Sequence, residues 1–236
     1  MSNCVEGTSK AERLLKRCPT IQAIRTLVVM SSLMMMTIIV ANLSATKIWG
    51  PSWLPMDGGI FLFPMSYLLG DLLVEIYGRK IADYVAWMGC WVGLISIGVI
   101  FLVRLIPDYV GADNSGFLVI ANTTGRIFFA SVVGFLAGQL LNNYVFERIR
   151  KKQQRRHIDS YKWRAFASSA LAHIPDILLF EPIAFLGRLS FHEFVKQAVL
   201  AYVAAVLIEL FLLFFATQHL ARWLVKRLKF QHGQRI

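Results

Sequence analysis

Six blocks of almost unbroken apolar residues succeed one another along the chain, at about Arg25–Ile48, Ile60–Gly78, Ile81–Val103, Arg126–Phe146, Trp163–Leu186 and Phe194–Leu220. Each is about 20 residues long, the length that carries an α-helix across a hydrocarbon core of about 30 Å, whereas a spanning strand needs only about ten residues of alternating polarity. The pattern predicts an all-α membrane protein, a six-transmembrane-helix bundle over residues 24–228. A polar N-terminal tail (1–23) and a short C-terminal tail (229–236) flank it. Composition agrees: 56% of the 236 residues are hydrophobic and the mean hydropathy is +0.55, more apolar than a soluble core requires.

An even number of crossings places both termini on one side. Twenty of the 25 Lys and Arg fall on that side: up to Arg25, at Arg79 and Lys80, between Arg148 and Arg164, and from Arg222 onwards. Only Lys47, Arg104, Arg126, Arg188 and Lys196 fall on the other. Because cytoplasmic loops carry the excess of basic residues, both termini are expected in the cytoplasm, in a multi-pass protein of the cell inner membrane. The net charge of +11 therefore reads as a topology signal. The run RIRKKQQRRH (148–157) lacks the interleaved aromatics of a nucleic-acid surface, so the bilayer is the expected partner and no direct nucleic-acid contact is. Cys4, Cys18 and Cys90 have no paired spacing, and the chain has no nucleotide-binding glycine loop; neither a disulfide framework nor a cofactor is implied.

The second block, FLFPMSYLLGDLLVEIYG, carries Pro64, Gly70, Asp71 and Glu75 at membrane depth. A carboxylate near the bilayer centre costs about 2.5–3.5 kcal/mol even on the lenient insertion scale. Glu75 has a local explanation, a pair with Arg79 four residues on. Asp71 has none, and is read as lining a polar cavity. The fifth block repeats this character with Pro175–Asp176 and Glu181–Pro182. Two Pro-interrupted acidic helices thus hold the second place in each three-helix half, which suggests a 3+3 inverted repeat with its binding site near the midplane.

The other blocks add polar groups at lower density. Gln139, Asn142 and Asn143 share one stripe of the fourth, as interhelical glue or as partners of a heterocycle. Glu209 lies halfway along the sixth. Asn42 and Lys47 close the first, where Lys47 either faces the cavity or snorkels to the interface. Met34, Met35 and Met36 point in different directions round a helix, which suits packing and not a metal site. Gly89, Gly93 and Gly98 make the third block a close-packing face. Trp49 and Trp53 mark headgroup depth, and Pro107–Gly125 reads as the longest outer loop. His173, one turn before Asp176, is either a packing histidine or a proton relay.

Five carboxylates in the spans (Asp71, Glu75, Asp176, Glu181, Glu209) outnumber the intramembrane bases. They call for protonation or for a neutral or cationic ligand rich in N–H groups. With Phe63 and Tyr67 available for stacking, the small-molecule substrate is expected to be a flat heterocycle. Ser168 and Ser169 stand near His173 in sequence and raise an intramembrane hydrolase as an alternative. Residues four apart on one helix seldom align a nucleophile with its base, so no enzyme is expected.

The chain resembles the queuosine precursor transporters, also called the vitamin uptake transporter family. The resemblance is carried by Asn42 with Lys47, by Phe63–Pro64 with Asp71, Glu75, Tyr77 and Gly78, by Gly138–Gln139, and by Asp176 followed by Ile183–Gly187. It covers about Ile24–Leu228. It implies a six-helix importer of 7-deazaguanine bases, salvaged into the modified tRNA nucleoside queuosine. Asp71 or Asp176 would accept from the two-donor edge of the base, Gln139 and Asn142 would serve its carbonyl, and Phe63 or Tyr67 would stack on it; Asn42, Lys47, Glu75, Glu181 and Glu209 complete the expected site. The chain departs from the family where Asn142 stands in place of Asp, Asp83 in place of Arg, and Ala205 in place of the Lys that precedes the sixth-helix Glu by one turn. The alternative is a substrate-capturing subunit for another vitamin-like heterocycle that needs an energising partner, and a homo-oligomer is compatible with either.

Overall fold

The computed structural model describes residues 19–51, 56–157, 160–185 and 191–214. Most of the N-terminal tail with Cys4 and Cys18, Trp53, Gly187, Arg188, and everything from residue 215, including the C-terminal tail, lie outside the described residues. Six long helices occupy the described part: α1 (Pro19–Ser44), α2 (Phe63–Tyr77), α3 (Arg79–Arg104), α4 (Ser115–Arg155), α5 (Tyr161–Phe185) and α6 (Phe191–Leu212). Between α1 and α2 a two-stranded antiparallel hairpin, β1 (Ile48–Trp49) with β2 (Met56–Asp57), leads into a 3-10 turn at Gly58–Phe61. Segments around α1, α2 with its 3-10 turn, α3, α4 and α6 are long and apolar enough to cross a membrane. The protein is a membrane helical bundle. Helix α5 is the exception to the hydropathy pattern, because Lys162, Arg164, His173, Asp176 and Glu181 all lie on it.

The bundle turns its apolar side chains both ways. Met30, Met34, Ile38, Leu68, Leu72, Leu73, Val85 and Phe135 belong to the buried core. Outside, Trp87, Trp91, Ile95 and Leu102 of α3, and Val195, Val199, Val203 and Leu207 of α6, stay exposed at roughly helical spacing. In water such stripes would be a liability; they are the surface a lipid chain covers. Met34 is buried and Met36 is 51% exposed, as expected for consecutive residues that pack in different directions.

Several sequence expectations change here. Pro64 falls in the first turn of α2, where its missing N–H costs nothing, so it starts the helix and does not interrupt it. Helix α5 runs on through Pro175 and Pro182. Helix α4 begins at Ser115, so the second half of the expected loop is helical, and at 41 residues it is roughly 60 Å long, overshooting the membrane. Its last turns hold the basic run. Gly78, at φ +84°, is the one residue between α2 and α3, a conformation that a side chain would strain.

Close approach is built in at Gly70 and Gly138. A methyl group at Gly70 would collide with the Gln139 amide, and one at Gly138 with the Tyr67 hydroxyl and the Ala172 carbonyl. These positions let α2, α4 and α5 meet round buried polar groups. Gly138→Ala is expected to cost about 1–3 kcal/mol through overpacking. Thermal unfolding in detergent checks this, with Gly98→Ala as the comparison, since nothing lies within 4 Å of a methyl there.

Candidate substrate site

Tyr67, Asp71 and Glu75 follow one another at steps of four along α2, so one stripe of the helix carries all three inward. They are 0%, 0% and 8% exposed. The partners come from α4, α5 and α6, and they sort into layers between the end of the bundle that carries the hairpin and the opposite, basic end.

At the hairpin end a small pocket lies between the 3-10 turn, α2, α5 and α6. Phe63 and Phe180 stand on its wall with ring centroids 6.4 Å apart. Asp57, Asp176 and Glu181 bring three carboxylates to it, and Ala201 and Ala205 of α6 leave it room. Asp57 also caps the 3-10 turn by accepting from the Gly59 N–H at 2.8 Å. The Trp49 indole donates to the Asp57 carbonyl at 3.1 Å, and its ring stacks on Phe61, which fixes the hairpin over this end.

Beneath the pocket lies a layer of side-chain pairs. The Tyr67 hydroxyl donates to Asp176 Oδ2 at 2.7 Å, the Tyr67 ring packs edge-on against His173 at 4.5 Å, and His173 Nε2 lies 3.1 Å from Glu209 Oε2. Where the resemblance leads one to expect a lysine one turn before Glu209, Ala205 opens space and His173 of α5 supplies the partner. The next layer is sealed. Asn142 Nδ2 donates to Asp71 Oδ1 at 2.8 Å, Ser169 Oγ donates to Asn142 Oδ1 at 3.3 Å, and Gln139 Nε2 donates to Asn143 Oδ1 at 2.9 Å. Ser168 donates to the carbonyls of Arg164 and Ala165, so both serines are engaged with groups other than His173.

The basic end is closed by ions. Glu75 Oε2 is 3.0 Å from Arg164 Nη2 and 3.5 Å from Arg150 Nε; Arg150 also donates to the Val74 carbonyl, and Arg164 to Gln153 Oε1 at 3.0 Å. The expected Glu75–Arg79 pair does not form. It needs one continuous helix, and Gly78 ends α2 before Arg79, which instead starts α3 and meets Asp83 at 3.1 Å. Asp83 accepts from Asn143 as well.

Of the residues singled out from sequence, Phe63, His173, Asp176 and Glu181 line the pocket, and Tyr67 and Glu209 sit behind it, in contact with Asp176 and His173 respectively. Asp71, Gln139 and Asn142 come together one layer deeper. Glu75 belongs to the ion cluster. Asn42 is 1% exposed and donates to its own helix at the Ile38 carbonyl, and Lys47 is exposed beside the hairpin. Sequence reasoning missed Asp57, Arg150 and Arg164. The signal for the arginines was present: a carboxylate at the basic end of α2 needs a cation at that depth, and 148–164 is where the cations are.

Burial pushes the Asp57 carboxyl above the ordinary aspartate range, against the pull of the Gly59 N–H. A carboxyl raised in the folded state binds its proton more tightly there than in the unfolded chain, so its contribution to stability improves as pH falls. Asp57→Asn, which keeps a capping oxygen, is therefore expected to unfold at a higher temperature than the wild type at pH 7.5. That gap should close as the pH is lowered to 5, which paired thermal melts would show.

A lipid-coated bundle with a polar pocket leading to buried hydrogen-bonding groups is the architecture of a small-molecule transporter. Residues 57–218, more than two thirds of the chain, match the family described as "Putative vitamin uptake transporter". The chain belongs to this family. No curated protein and no solved structure matches it.

Proposed function

We propose that the protein imports a flat, N–H-rich base of the 7-deazaguanine type, a queuosine precursor, across the cell inner membrane for salvage into tRNA. The observation that carries this is Asp176, which lines the pocket with one oxygen held by the Tyr67 hydroxyl at 2.7 Å. A carboxylate so fixed is oriented to accept from the adjacent ring N–H and 2-amino donors of a deazaguanine. Phe63 and Phe180 offer aromatic faces on the pocket wall; their rings are tilted by 59° with centroids 6.4 Å apart, so the base stacks on one of them and meets the other edge-on. Deeper in, Asp71 Oδ2, Gln139 Oε1 and Glu209 Oε1 are buried acceptors without a hydrogen-bond partner. They are the groups the base meets next, once the Tyr67–His173 layer parts.

The pocket lies at the hairpin end and the Glu75–Arg164–Arg150 cluster joins α2, α4 and α5 at the basic end. With the basic end in the cytoplasm, as the charge distribution favours, the pocket belongs to the outer half of the importer. We propose six crossings, both termini cytoplasmic, and an inverted repeat that pairs α2 with α5. The family assignment and the engagement of Ser168, Ser169 and His173 with other partners favour a carrier over a hydrolase. The test is expression in bacteria that neither make nor import queuosine precursors, supplied with low 7-deazaguanine base. Queuosine is expected to return to tRNA; its absence with well-inserted protein would count against this substrate.

A further inference from the structure

Asp57, Asp176 and Glu181 converge on one small pocket from the 3-10 turn and from α5, and among the described residues that line it there is no lysine or arginine. Asp176 has its tyrosine, and Asp57 has the Gly59 N–H. Glu181 is different: it is 3% exposed and its Oε2 has no hydrogen-bond partner. It also sits in the fields of Asp57 and Asp176, both of the same sign. A buried carboxylate with two like neighbours and no donor is a costly arrangement for an empty pocket and a favourable one for a cation.

The cation is constrained by geometry. A metal ion requires ligands drawn to within about 2–2.6 Å of one point. Among the described residues no group of three or more His, Cys, Asp or Glu side chains is placed to hold one. An alkylammonium has three N–H donors spread around a larger centre and reaches carboxylates at about 2.7–2.9 Å each. Glu181 and Asp57 line the pocket together with Ile60, and Asp176 lines it with one oxygen held by the Tyr67 hydroxyl.

We propose that Asp57 and Glu181, with Asp176 beneath them, form an ammonium subsite, and that the preferred cargo is a flat base bearing a protonated amine. This rests on the importer reading above and narrows it. The planar edge of the base lies against Asp176, and its amine arm points back towards the hairpin. A neutral base of the same shape leaves Glu181 unanswered and binds less well.

A matched pair of 7-deazaguanines, one with an aminomethyl and one with a nitrile at position 7, separates the two claims when uptake is measured with the purified full-length chain in proteoliposomes. The wild type is expected to favour the aminomethyl base by at least tenfold in apparent affinity. Glu181→Gln and Asp57→Asn, each monodisperse in detergent, should each reduce that ratio severalfold. Equal handling of the two bases, a ratio unmoved by both substitutions, or uptake that needs sodium and ignores the amine would overturn the subsite while leaving the importer standing. Uptake of neither base would overturn both.

Discussion

Asp176→Asn is expected to lower uptake about a hundredfold while leaving the amount of inserted protein unchanged. The substitution keeps size and shape, and its amide oxygen can still accept from Tyr67. It then presents an NH₂ group to the pocket, a donor facing the donors of the base, and removes the charge that made those bonds strong. Hydrogen bonds to a charged group contribute about 1.5–3 kcal/mol each, and about 2.7 kcal/mol is two factors of ten. Tyr67→Phe, which only frees the carboxylate to rotate, should cost about tenfold, on the order of one neutral hydrogen bond. Uptake in cells with quantified membrane insertion checks both. Wild-type transport by Asp176→Asn would move the donor-edge role away from this residue, with Asp71 one layer deeper next in line.

Glu75→Ala is expected to destabilise the bundle by about 3–5 kcal/mol, the usual cost of removing one partner from a buried ion pair. Arg164 is 4% exposed, and Glu75 is its carboxylate at 3.0 Å. Arg150, at 25% side-chain exposure, retains better access to water and the Val74 carbonyl. The cluster ties α2 to α4 and α5 at the end opposite the pocket. The double variant Glu75→Leu with Arg164→Leu, which removes both charges, should recover most of the loss, because apolar replacement of a whole buried pair is often neutral. Thermal unfolding of the three proteins in one detergent provides the comparison. A double variant no better than the single would mean that the arginine is held mainly by Gln153 and the neighbouring rings of Phe146 and Tyr161, and not by Glu75.

The helices were legible because hydrocarbon imposes a length. Blocks of about 20 apolar residues have few other uses, and the largest shift is in α4, whose first turns mix Asn122, Thr123, Thr124 and Gly125 among apolar residues and which begins at Ser115 instead of Arg126; α1 also begins early, at Pro19. Asp71 and Asp176 were legible as buried for the same reason: a carboxylate at that depth needs a partner. Which partner it finds was not legible, because that depends on helix packing. Asp71 meets Asn142 across 71 residues of chain, Tyr67 meets Asp176 across 109, and Glu75 finds Arg164 once Gly78 has taken Arg79 out of register. The hairpin was missed because its strands are two residues each, below any period-2 signal. Asp57 was missed with it: in sequence it is one polar residue in a turn, and only the fold carries it to the wall of the pocket.

The most direct measurement is uptake of a labelled 7-deazaguanine base by proteoliposomes that contain this purified chain and no other protein. Saturable accumulation or exchange, lost in Asp176→Asn and absent from protein-free liposomes, is the predicted result. Saturable binding in detergent without any uptake, restored only by adding an energising partner complex, would contradict the account of a self-sufficient importer and establish a capture subunit instead.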